Sequence, residues 1–255
     1  MKDRKSQHSA REKLLKLSRE LGKSEYRLAL LGEGNTSAVV DEETFLVKAS
    51  GAELRILKAN QLVRVRFDKI LPMVDQELDQ VQTRDALLAS RVDSKTLRPS
   101  VETIFHAWLL RQEGVKFVGH THPLEVNKIL CSGRAAEFAE RRLFPDEVVY
   151  CGPKSLLIEY VDPGAKLAAA VRVGWKNFVA DNGFAPRLIL IANHGLVAIG
   201  STPEAVLAAT LMAVKAAEIF IDACALGGPV FMDPKEVYHI HNRLDEHYRR
   251  RQIEV

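Results

Sequence analysis

The chain has 255 residues, 47% of them hydrophobic and 27% charged, which is enough for a sizeable core and too apolar for wholesale disorder. Thirty-six basic against 33 acidic side chains give +3, too little for a nucleic-acid footprint, and no apolar run approaches the roughly 20 residues of a membrane span. Cys131, Cys151 and Cys224 form no Cys-x-x-Cys pair and leave one over, which argues against a disulfide framework. No signal-peptide core follows Lys2, Arg4 and Lys5, so a protein of the cytoplasm is expected.

Residues 9–21 predict an amphipathic helix with Leu14, Leu15, Leu17 and Leu21 inward and Gly22 as its stop. Strand-like runs at 26–31 and 38–40 flank the turn Gly32-Glu33-Gly34-Asn35, and 44–48 and 63–67 are two more strands. Residues 78–90 read as a helix. Ser100 stands as the N-cap of another, with Ile104, Phe105, Trp108 and Leu109 at helical spacing and Gly114 at its end. A strand over 115–121 ends in His120-Thr121-His122-Pro123, and a short helix with Val126, Ile129 and Leu130 follows. Residues 147–150 and 155–160 read as strands, and Asp162-Pro163 opens a helix bearing Leu167, Val171 and Trp175. Strands 187–192 and 196–199 flank Asn193-His194-Gly195. Thr202-Pro203 opens a long alanine-rich helix that stops at Gly227-Gly228, and Asp233-Pro234-Lys235-Glu236 opens the last helix with capping-box spacing. No repeat or linker interrupts this order, so one mixed α/β domain over 1–255 is expected, with its core at about 10–228 and a tail at 229–255.

His120 and His122 are two apart on a strand, so alternation puts both rings on one face, about 6–7 Å apart along the chain. Two imidazoles so placed can share an ion, and His194, beside the small Gly195, is the best third ligand. Three protein ligands would leave a coordination position for substrate. The plainer alternative is a set of buried histidines bonded to backbone carbonyls. A rival pair, His239 and His241, lies on the last helix, where two positions point apart. With His247 and residues 249–251 it reads as surface. Glu102 is the candidate acid, or else a charge placed to favour the helix dipole. The turn at 32–37 and the segment Lys48-Ala49-Ser50-Gly51 offer amides, hydroxyls and a cation that can hold a phosphate, or are an ordinary hairpin and a strand-end charge.

Taken together, GEGNTS at 32–37, KASG at 48–51, PSVETIFH at 99–106, HTHP at 120–123, IEYVDPG at 158–164 and NHG at 193–195 resemble, in that order, the class II aldolase/adducin family. The wording is closest to the aldolase part of rhamnulose-phosphate aldolase/dehydrogenase fusions, with no dehydrogenase portion before the chain ends. The resemblance implies a three-layer αβα fold with a mainly antiparallel central sheet and a homotetramer with sites between neighbours. It implies zinc, or another divalent transition metal, on His120, His122 and His194, with Glu102 as the catalytic acid/base. Asn35, Ser37, Ser50, Gly51 and Ser100 match phosphate-contacting positions. Val101 stands where many members have a second serine, a loss for which Lys48 can compensate. Tyr238 or Tyr248 is a candidate for a tyrosine lent to the adjacent subunit. The implied reaction is aldol cleavage or formation on a sugar phosphate through an enediolate. Dehydration, decarboxylation or epimerisation are the family's alternatives, and a non-catalytic adducin-like scaffold is a further one. No nucleic-acid or membrane partner is expected.

Overall fold

The structure, a computed structural model, describes residues 2–243. Its strands are β1 (Asn35–Val39), β2 (Thr44–Lys48), β3 (Leu62–Arg66), β4 (Phe117–Thr121), β5 (Leu156–Ile158), β6 (Leu188–Ile191) and β7 (Gly195–Gly200). They form one sheet in the order β3-β2-β1-β4-β7-β6-β5. All neighbours are antiparallel except β5 and β6. That exception follows from the connection: a parallel pair needs a long crossover, here a helix, whereas β1–β2 and β6–β7 are joined by tight turns.

The helices are α1 (Lys2–Leu21), α2 (Phe67–Ile70), α3 (Gln80–Ala89), α4 (Thr103–Leu109), α5 (Leu124–Leu130), α6 (Ala135–Glu140), α7 (Pro145–Cys151), α8 (Ala165–Asn182), α9 (Pro203–Ala225) and α10 (Pro234–Asn242). Strand alternation sorts them into two layers. Thr36 faces α1, where its hydroxyl meets that of Ser18 at 2.6 Å. A side chain at Gly119 would collide with Val206 of α9 and Leu21 of α1. Ser37 and His120 point the other way, to His106 and Phe105 of α4. Trp108 and Trp175 then join α4 to α8 edge to face, 5.9 Å between ring centres. Both faces are therefore covered, and β1, β2, β4, β6 and β7 are buried almost throughout.

Several helix starts are set by the residues expected. Thr202 caps α9 by accepting the Ala205 N–H, and Asp233 caps α10 through the Lys235 N–H at 2.8 Å. Other expectations are overturned. Residues 147–150 are helical, inside α7, because Pro145 opens a turn that lays Val148 and Val149 against Val237 and Ile240 of α10. Residues 26–31 contain no strand. Arg27 and Leu31 adopt left-handed backbone, and the segment spends its carbonyls outside the sheet. β1 begins at Asn35, inside the predicted turn. Helix α4 begins at Thr103 rather than after Ser100, whose hydroxyl accepts the Glu102 N–H at 3.3 Å, and it ends at Leu109, short of Gly114. Helix α6 was not anticipated. His239 and His241 do fall on α10, while His247, Tyr248 and residues 249–251 lie outside the described residues.

Candidate metal centre

The antiparallel ladders assemble the site. Asn35 at the start of β1 lies directly opposite His120 near the end of β4, and Thr121 lies opposite Leu196 on β7. The turn between β6 and β7 carries His194. It is shaped by Asn193 in left-handed backbone, a conformation asparagine tolerates, and is anchored by an Asn127 amide donating to the His194 carbonyl at 3.0 Å. Three imidazoles thereby converge: ring centres are 4.8 Å apart for His120–His122, 4.9 Å for His120–His194 and 5.1 Å for His122–His194. One nitrogen from each lies within 4.8 Å of the others. A tetrahedral ion with bonds of about 2.0–2.1 Å needs nitrogens roughly 3.3 Å apart, a separation of the same order.

Glycine makes this convergence possible. A Cβ on Gly195 would stand 2.6 Å from the Thr121 carbonyl, 2.7 Å from His122 Cδ2 and 3.3 Å from His120 Cε1. A Cβ on Gly34, which has φ of 65°, would stand 2.6 Å from the His120 carbonyl. Both glycines let backbone pass where the rings need room.

Glu102, just ahead of α4, aims its carboxylate between two of the rings. It lies 3.5 Å from His120 Nε2 and 3.2 Å from His194 Nε2, and it accepts the Asn35 amide at 2.5 Å. The acid is thus buried in the site, at the N-cap position of α4, where its charge also favours the helix dipole. Burial works to raise Glu102, but the imidazoles of His120 and His194 and the Asn35 donor outweigh it and hold the carboxyl below its usual range. Burial pushes His120 down, and burial with its neighbouring imidazoles pushes His122 down to about 4. Neutral imidazoles and an ionised acid are the protonation states that a divalent ion requires.

Backbone bonding does not satisfy the histidines. His120 Nδ1 meets the Leu196 carbonyl at 3.0 Å, which turns its Nε2 toward His122 Nε2, also at 3.0 Å. Among the described residues, buried His194 Nδ1 and Asn35 Oδ1 have no hydrogen-bond partner. Two imidazole nitrogens 3.0 Å apart, beside orphaned polar atoms, form a donor set that fits a divalent cation.

The segments expected to hold phosphate come together beside this cluster. An isolated bridge between Ala49 and Pro99 sets Ser50 and Gly51 next to Ser100, and the Ser50 N–H donates to the Arg98 carbonyl. Lys48 is buried and ties the two loops by donating to the carbonyls of Gly32, at 3.1 Å, and Ala52. Burial lowers its pKa to about 8. Ser37 does not join them. It is fully buried, and its hydroxyl meets His106 Nδ1 at 2.7 Å, so it forms the wall behind the site. Asn35 gives its amide to Glu102, which makes it the residue that orients the acid. Sequence reasoning missed His106, Asn127 and the steric role of Gly195. The final His of PSVETIFH and the Asn-His-Gly turn were the available signals.

Comparison with known proteins gives the family. The profile of the Class II Aldolase and Adducin N-terminal domain matches residues 12–221. The chain belongs to this family. A curated relative, an uncharacterized oxidoreductase YuxG of Bacillus subtilis (strain 168), is 34% identical over 201 residues, 75% of this chain; the chain spans 27% of that protein's length. The N-terminal class II aldolase domain of a conserved Thermoplasma acidophilum protein superimposes with a TM-score of 0.64 at 25% identity, covering 82% of this chain and 92% of that one. An L-fuculose 1-phosphate aldolase superimposes with a TM-score of 0.69 at 16% identity, covering 93% and 96%, and shares the fold. The domain is thus a class II aldolase/adducin fold with a histidine trio able to hold a metal. Among the described residues no helix is long and apolar enough to cross a membrane.

Proposed function

We propose that this domain is a metal-dependent lyase of the aldolase type, cleaving or forming the C–C bond next to the carbonyl of a phosphorylated ketose. The observation that carries it is the carboxylate of Glu102 set between His120 and His194 at the meeting point of three imidazoles. His120, His122 and His194 would hold the ion, zinc or another divalent transition metal, which would supply Lewis-acid polarisation of a carbonyl and shelter for the negative charge that develops there. Glu102 moves the proton at the reacting carbon. Its oriented, ionised carboxylate is ready to accept one, and the neighbouring imidazoles and Asn35, which favour the ionised form, help to return it. Asn35 fixes the rotamer of that acid. Lys48, Ser50, Gly51 and Ser100 bind the phosphate, with loop amides and hydroxyls as donors and Lys48 supplying a cationic donor where Val101 offers no hydroxyl. Assembly as a homotetramer in the cytoplasm, with Tyr238 as a candidate for lending to a neighbour, belongs to the same proposal.

The test is turnover of phosphorylated ketoses by protein of known metal content, with Glu102→Gln beside it. Glu102→Gln keeps the shape and the Asn35 contact but cannot carry a proton. The proposal expects aldehyde release by the native protein, and a fall of about 10²–10⁴-fold in Glu102→Gln with its ion retained. Equal turnover by the two would remove Glu102 from the chemistry.

A further inference from the structure

The segment at 28–33 contributes no ligand to the trio, yet it bonds the His122 backbone and brings a carboxylate up to its ring. The His122 N–H donates to the Leu28 carbonyl at 2.8 Å. On the side-chain end, Glu33 Oε2 faces His122 Nδ1 at 3.9 Å, and His122 Nε2 is the nitrogen turned toward His120. The other oxygen demand on Glu33 is local: the Leu30 N–H donates to the same Oε2 at 2.9 Å, and the Glu33 N–H donates back to the Leu30 carbonyl at 3.0 Å. This closed turn is held at a conformational cost, since Leu31 has φ of 51° and stands 83% exposed.

The ring partners fall into a pattern. His120 has its Nδ1 committed to a backbone carbonyl, which fixes its tautomer and frees Nε2. His122 has no carbonyl there, and Glu33 is the group that faces its Nδ1. We propose that Glu33 is a positioning residue of the metal centre: its carboxylate, 3.9 Å from Nδ1, closes to accept a hydrogen bond from the His122 Nδ1–H, so that Nε2 presents its lone pair beside that of His120. The inference rests on the metal-site reading above. Outer partners of this kind orient the ring and raise its basicity, and their loss typically costs 10–100-fold in metal affinity.

The experiment is Zn2+ affinity by competition with a chromophoric chelator, paired with the thermal midpoint of the metal-free protein. The variants are Glu33→Gln and, as a control for general charge, Glu53→Gln, whose carboxylate is paired with Arg55. Glu33→Gln keeps an oxygen for the Leu30 N–H, so the turn is retained while the anionic partner of His122 is lost. Expected are a roughly 10–100-fold weaker affinity for Glu33→Gln, an unchanged metal-free midpoint, and native affinity for Glu53→Gln. Native affinity in Glu33→Gln would overturn the proposal, as would an equal loss in Glu53→Gln or a loss matched by a fall in the metal-free midpoint. A native protein that binds no Zn2+ would instead refute the metal centre itself, so the two failures are distinguishable.

Discussion

Replacing Gly195 by alanine adds a single methyl at the point where β7 passes behind two ligand rings. The added Cβ would stand 2.6 Å from the Thr121 carbonyl and 2.7 Å from His122 Cδ2. The carbonyl belongs to the β4–β7 ladder, where Thr121 pairs with Leu196, so it is held by its neighbours. The His122 ring is the part able to move, and it must retreat by about 0.7 Å to reach ordinary contact. A metal–nitrogen bond tolerates about 0.2 Å, so the ring cannot retreat that far and stay a ligand. Overpacking of this kind costs about 1–3 kcal/mol of stability, and the displaced ligand should weaken Zn2+ binding by at least tenfold. Chelator competition reads the affinity, and melts with and without Zn2+ read the stability. The gap in thermal midpoint between loaded and metal-free protein should shrink in Gly195→Ala, because stabilisation by an ion follows its affinity. A variant that binds Zn2+ as tightly as the native protein would refute the claim that Gly195 makes room for the ligand rings.

Three further predictions concern the residues around the trio. The Lys48 amine, with its pKa lowered to about 8 by burial, is charged below that pH and neutral above it, so KM for a phosphorylated substrate should rise as pH passes 8 and Lys48→Met should abolish the rise. The folded state also binds fewer protons at Lys48 than the unfolded state between about 8 and the ordinary lysine value, so metal-free stability attributable to this residue should increase with pH there, as melts in native and Lys48→Met protein would reveal. Ser37→Ala removes the hydroxyl that meets buried His106 and should cost about 1–3 kcal/mol in a denaturant melt while leaving KM unchanged; a raised KM with native stability would return Ser37 to the substrate side.

The motifs for the candidate site were legible because their chemistry is written in residue type and order: two histidines on one strand, a third beside a glycine, an acid ahead of a helix. What joins them is not local. Asn35 meets His120 only through the β1–β4 register, and no spacing along the chain encodes a partner 67 residues away such as Glu102 is to Asn35. The fold divides in the same way. Residues 44–48 are strand by their β-branched and aromatic types, and they form β2 over those same residues. Residues 147–150 carry the same β-preferring types, yet Pro145 and the apolar face of α10 draw them into a helix. Residues 26–31 look like a strand by composition, but the Leu28 carbonyl is taken by His122 and that of Arg27 by Leu124. In both cases a distant partner outweighs a short apolar run, whose type periodicity alone does not decide.

The measurement that bears most directly on the trio is the metal content of freshly purified protein set against that of His194→Ala. His194 comes from a different turn than His120 and His122 and is separated from them by more than seventy residues of chain, so a shared ion requires the fold itself to bring the three together. The expected result is one transition-metal ion per native chain, with both the ion and turnover lost in the variant. A variant that keeps its full complement of metal would contradict the assignment.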